Sequence, residues 1–115
     1  MTEPIDVARR AVEIASEHQA SDVVLLDITP LNTFADYFVI LSAESARQIG
    51  ALTEALAQGL KERGGRLHHQ EGTPSSGWVL MDYTDVVVHV FALDEREYYQ
   101  LEQAWSEAVT LVRIQ

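Results

Sequence analysis

The sequence predicts a mixed α/β fold: a single domain with about five strands in a mixed sheet and helices packed on it. Three observations point there. The run 77–91, GWVLMDYTDVVVHVF, reads as a β-hairpin whose second strand is apolar on both faces. Residues 5–19, and those that follow Ser45, carry apolar groups at helical spacing. Two short apolar runs, DVVLLDI and DYFVILS, are bounded by polar residues and turn formers, as buried strands are. With 115 residues and 47% apolar content, the chain is long enough for one core and too short for two.

In chain order, residues 5–19 form an amphipathic helix. Ile5, Ala8, Val12 and Ala15 recur on one stripe, Ala11 and Ile14 widen it, and Pro4 suits a first turn. Residues 22–28 read as a buried strand, ended by Pro30. Residues 30–35 connect it to the next element, with Pro30, Asn32 and Thr33 as turn formers. Residues 36–42 are a second strand of the same kind. Ser45 offers a helix N-cap, Gln48 sits at the capping-box position, and Glu44 places negative charge at the helix start. The stripe Ile49, Leu52, Leu56 and Leu60 follows. Lys61 and Arg63 fall in the last turn, and Gly64-Gly65 ends the helix.

Residues 66–70 read as a weaker strand, and 71–76 as a loop of small, turn-forming residues. In the hairpin, Trp78 and Leu80 share one face and Val79 and Met81 the other; residues 82–85 turn the chain. Val86, Val88 and Val90 then alternate with Val87, His89 and Phe91. A strand covered on both sides belongs at the centre of its sheet. Asp94 caps a final helix with Glu97 at the box position, and Tyr98, Leu101, Trp105, Ala108 and Val112 line one face of it, which makes Tyr98 and Trp105 core.

Eighteen acidic against eight basic residues give a formal charge of −10. Phosphate backbones are bound by basic patches, so direct nucleic-acid binding is disfavoured and a basic protein partner is favoured. The absence of cysteine excludes disulfides and thiolate metal sites and suits a cytoplasmic protein. The longest apolar runs are far short of the roughly 20 residues of a membrane helix. The acidic, polar opening Met1-Thr2-Glu3-Pro4 is neither a signal peptide nor a transit peptide.

Histidines 68, 69 and 89 with Glu71 are metal-ligand types, but adjacent strand residues point to opposite faces, so His68 and His69 cannot both line one site without a bulge. Asp82, Asp85 and His89 could form an acid/base set, yet aspartates flanking a turn commonly cap its backbone. No nucleophile elbow and no phosphate-binding glycine motif is present. Trp78, which follows a loop, and Tyr83, in a turn, are read instead as exposed rings beside acids, the residue types of an interface hot spot.

The run Ala35-Asp36-Tyr37-Phe38-Val39-Ile40 with Ser42-Ala43, Ser45 and Arg47-Gln48 resembles the first signature of the ribosomal silencing factor family, also called the Iojap family. Glu71-Gly72 with Gly77-Trp78-Val79-Leu80, Asp82-Tyr83 and Asp85 to Phe91 resembles the second. Arg96-Glu97, Tyr99, Leu101-Glu102 and Trp105 resemble the third. The resemblance implies a binding protein, not an enzyme, with no cofactor and no metal. It implies a fold similar to nucleotidyltransferases, and a translational repressor that docks on ribosomal protein uL14 of the large subunit and blocks subunit association under nutrient limitation. It also implies a homodimer when free. Trp78, Asp82, Tyr83, Asp85 and His89, with Glu71 and Tyr99 nearby, are the expected partner surface; Asp36 and Gln48 match the family pattern. Thr84 departs from it, since many members carry Gly there, where a two-residue hairpin favours positive φ. A nucleotide-handling enzyme and a generic dimeric assembly module are the alternative classes.

Overall fold

The computed structural model describes residues 3–31 and 34–114. Helix α1 is Pro4–Glu17, strand β1 Ser21–Asp27, β2 Tyr37–Ala43, and helix α2 Ala46–Glu62. Strand β3 is His69–Glu71, β4 Trp78–Asp82 and β5 Val86–Ala92. Helix α3, Leu93–Tyr99, and the single turn α4, Leu101–Ala104, lead to β6, Val109–Ile114. The expected turn formers Asn32 and Thr33 lie outside the described residues.

The mixed α/β class is as expected, with six strands in place of about five, in the order β3-β4-β5-β2-β1-β6. Neighbours pair antiparallel except β2 and β5, which run parallel. Strand β5 is interior and buried on both faces, so its mostly apolar two-faced pattern marked its place correctly. The face parity of the hairpin also holds. Val79, Met81, Val86, Val88 and Val90 join α1 and α2 in one core, whereas Trp78, Leu80, Val87 and Phe91 pack in a second core on the opposite face.

Local chemistry accounts for both ends of α2. Ser45 Oγ accepts the Gln48 amide at 3.1 Å, and Gln48 Oε1 accepts the Glu44 amide at 2.7 Å, one residue beyond the N-cap amide that a capping box would use. At the other end of α2, the Gly65 amide donates to Leu60 O at 2.7 Å and the Gly64 amide to Lys61 O at 3.1 Å, a Schellman motif with Gly64 at φ 85°. Gly59 lets α1 approach, since a Cβ there would lie 2.3 Å from Ile14 Cδ1.

Two expectations fail. The strand expected over 66–70 is the shorter His69–Glu71, at the sheet edge. The long final helix does not form: Gln100 adopts φ 48°, a left-handed conformation that ends α3, and residues 109–114 pair with β1 as β6. Asp94 is no cap, because α3 starts from Ala92 without a side-chain cap and Asp94 lies inside its first turn. Tyr98 is 80% exposed rather than core, while Trp105 does pack on the second core. Val112 packs with the first core instead of sharing a stripe with Trp105.

At the hairpin turn, Asp82 Oδ1 accepts the Thr84 amide at 2.7 Å and the Asp85 amide donates to Tyr83 O at 3.0 Å. Thr84 sits at φ 75°, the centre of a γ-turn that strains a β-branched residue. Thr84→Gly should therefore stabilise the fold by about 1 kcal/mol, read as a higher urea midpoint at unchanged m-value.

Candidate functional site

The face of the sheet opposite α1 and α2 carries a continuous chain of rings. Trp78 is the pivot, 4.7 Å from Tyr99 and stacked on Phe91 at 4.9 Å between centroids. His89 meets Phe38 edge-on at 4.8 Å, and Phe38 meets Trp105 at 5.1 Å. Phe34, 71% exposed, closes the far end against Phe38 and Trp105. Strand alternation produces this: cross-strand partners share a face, so Trp78 and Phe91, and Leu80 and His89, stand in rows above the sheet.

His89 is buried, and the Trp78 indole Nε1 donates to its Nδ1 at 3.2 Å. The acceptor role of Nδ1 places the ring proton on Nε2, which is buried without a partner. Burial pushes the His89 pKa from 6.5 down to about 4. Between those values the unfolded chain binds a proton that the folded chain refuses. Stability is thus full above pH 6.5 and falls as pH drops from 6.5 to 4, by about 3 kcal/mol. Urea titrations across that window should show this loss, and it should shrink in His89→Gln, which takes no proton.

The expected partner surface separates into parts. Trp78, His89 and Tyr99 come together, but His89 is buried beneath the rings and acts as a support, not a contact. Trp78 is half-buried rather than a free ring. Glu71 is exposed on the same face, in register with Leu80 and next in line to His89; its carboxylate lies 3.3 Å from His69 Nε2. Asp82 is held by the turn, and Asp85 is exposed, its carbonyl accepting the amides of Asp36 and Tyr37 at 2.8 and 3.0 Å. Tyr83 is the clear correction. It is buried on the helix-covered face, with burial raising its pKa to about 12 and its hydroxyl unpartnered. The turn folds it inward because its amide donates to Val86 O at 2.8 Å, extending the hairpin by one residue.

Sequence reasoning missed a groove of about 440 Å³ lined by Ser76, Asp94, Glu95, Tyr98 and Tyr99. It adjoins Trp78 through Tyr99, and sets two carboxylates beside two exposed phenol rings. The signal is present as Asp94-Glu95 and Tyr98-Tyr99, three to five residues apart, but helical spacing makes Asp94 a cap and Tyr98 a core residue, and only Tyr99 is expected at the partner surface. Also missed was the structural role of Arg96, which is buried. Its Nε donates to Glu102 Oε1 at 2.8 Å, its Nη1 to Ser42 Oγ at 2.8 Å and to the Asp22 carbonyl. Arg113 completes the cluster, 3.0 Å from Asp22 Oδ2 and 3.6 Å from Glu102 Oε2. These ion pairs tie α3, α4 and β6 to β1 and β2. Among the described residues, no group of three or more His, Asp or Glu is placed to hold a metal ion, and no helix is long and apolar enough to cross a membrane.

The family model for "Ribosomal silencing factor during starvation" matches residues 1–115. The Ribosomal silencing factor RsfS of Halalkalibacterium halodurans is 37% identical over 106 residues, 92% of this chain and 91% of that protein. The protein of the same name from Bacillus subtilis is 36% identical over 102 residues, 89% and 86% of the two chains. A crystal structure of a Chromobacterium violaceum protein superposes with a TM-score of 0.85 at 33% identity, covering 90% of this chain and 87% of that one.

Proposed function

Because this chain belongs to the ribosomal silencing factor family, we propose that it represses translation by binding the large ribosomal subunit through uL14, on the face where the small subunit docks, and blocking their association. One observation carries the reading. The acid-lined groove of Asp94, Glu95, Tyr98 and Tyr99 runs into Trp78, so rings and carboxylates share one surface on a chain of net charge −10. Exposed aromatics supply contact area, and acids around them select a basic protein partner and speed its encounter. Glu71 and Asp82 extend the acidic side of that surface, and Asp85 lies at the hairpin tip. Obstruction then needs only bulk, with no chemical step.

The free chain is a homodimer in this proposal. Support comes from β6, an edge strand with Val109, Leu111 and Ile114 exposed and no acid within it, which suits pairing with a second copy. Sedimentation velocity at two protein concentrations checks this part separately.

The decisive measurement is co-sedimentation with isolated large subunits, followed by addition of small subunits. The native chain should pellet with large subunits and reduce the yield of joined ribosomes. Tyr99→Ala, at a half-exposed position on α3, should keep its fold and bind about 30-fold more weakly. Undiminished subunit joining in excess protein would overturn the proposal.

A further inference from the structure

His89 is the only polar residue of β5, and the strand places it in the middle of the ring face. It is 3% exposed, and its ladder partners are Leu80 on β4 and Ile40 on β2. Phe38 and Phe91 flank its ring at 4.8 and 6.2 Å between centroids. A leucine would fill such a place without burying a polar atom. The histidine leaves Nε2 buried with no hydrogen-bond partner, and burial keeps the ring neutral by lowering its pKa from 6.5 to about 4. Packing alone gives no reason for a histidine here.

The ring offers one thing that a leucine could not. Its Nδ1 accepts the Trp78 indole Nε1–H at 3.2 Å. Trp78 also stacks on Phe91, at 4.9 Å and 27°, and lies 4.7 Å from Tyr99, tilted by 47°. Those two contacts are made by apolar ring faces, and they hold whichever edge of the indole points inward. An N–H donor has one direction, so the bond to Nδ1 chooses the edge. The indole carries no second donor. With Nε1 bound inside the chain, the half-buried ring offers only carbon to a partner.

We propose that His89 is a positioning residue for the partner surface: its Nδ1 fixes the Trp78 indole with the N–H turned inward, so that the ring meets its partner as apolar area with no donor to desolvate. This rests on the reading of Trp78 as part of that surface. The partner groups that fit are aliphatic side chains or the methylene stem of a lysine or arginine laid on the ring, not a hydrogen-bond acceptor. A ring already held in place also loses no rotamer freedom on binding.

The bond itself is read by NMR in the free chain. Nitrogen shifts of His89 at neutral pH should show the Nε2–H tautomer, and the Trp78 indole N–H should exchange with solvent at least about tenfold more slowly than in His89→Leu. His89→Leu fills the space, so its urea midpoint should equal or exceed the native one, yet it should bind large subunits about tenfold more weakly. His89→Asn sets an amide oxygen near the place of Nδ1. It packs less well, and should lower the midpoint while keeping affinity within about threefold of native. Stability and affinity then move in opposite directions, which a role in packing alone does not allow. In a Trp78→Phe background, which has no donor, His89→Leu should weaken binding no further. An Nδ1–H tautomer, equal indole exchange in the native chain and His89→Leu, or affinity that follows the urea midpoint across the variants overturns the proposal. If the native chain does not pellet with large subunits, the reading of the surface falls and the proposal with it, even where tautomer and exchange are as expected.

Discussion

Replacing Arg96 with Ala should cost about 3–5 kcal/mol of folding stability, enough to unfold a large fraction of a domain this size at physiological temperature. The Arg96 side chain is 9% exposed, and its guanidinium bonds Glu102, Ser42 and the Asp22 carbonyl at once. Its removal leaves Asp22 and Glu102 with only the half-exposed Arg113 to offset them. The loss is mainly that of stranded charge and unmet acceptors, so Arg96→Lys should recover less than half of it: an ammonium cannot present the same planar fork. Urea midpoints for the three proteins check this. Hydrogen exchange should further show the α3 and α4 amides opening first in Arg96→Ala, because Arg96 ties α3 to Glu102 of α4, to the Asp22 carbonyl and to Ser42.

Gly72→Ala should be nearly as damaging, at about 4 kcal/mol, combining left-handed strain with a steric overlap. Gly72 holds φ +85°, and a Cβ there would stand 2.0 Å from the Trp78 carbonyl oxygen. That oxygen belongs to backbone, so relief requires the start of β4 to move, and with it the pivot of the ring chain. Weaker large-subunit binding should therefore accompany the loss of stability, and Trp78 fluorescence should shift. Gly72→Asn separates the two causes. Asparagine tolerates the left-handed region but keeps the Cβ, so it should rescue only the conformational part.

The hairpin was legible because its evidence repeats every second residue: Val86 to Phe91 alternate between two apolar faces, and each residue tests the assignment again. The end of the chain was not legible. Tyr98, Leu101, Trp105, Ala108 and Val112 happen to obey helical spacing, and the break falls on Gln100, a residue whose type gives no warning of positive φ. Tyr83 was misplaced for a related reason. A turn residue is ordinarily solvent-facing, but one extra hydrogen bond to Val86 carries the ring over to the helix side. Arg96 is visible in the sequence only as part of a family signature; its structural role is not, because Asp22 and Ser42 lie 74 and 54 positions away. Of the proposed surface, Trp78 is offered by residue type, whereas Glu71 and Tyr99 come with the family resemblance; the groove beside them exists only once α3 is short.

The parallel pairing of β2 with β5 has a consequence for synthesis. Strand β2 is complete at Ala43, but the neighbour that covers its second edge is not complete until Ala92. At ordinary elongation rates the nascent polypeptide carries an open, apolar strand edge for on the order of a few seconds. The sheet closes around β2 only after β5 has been made, and until then that edge is available for pairing with other chains.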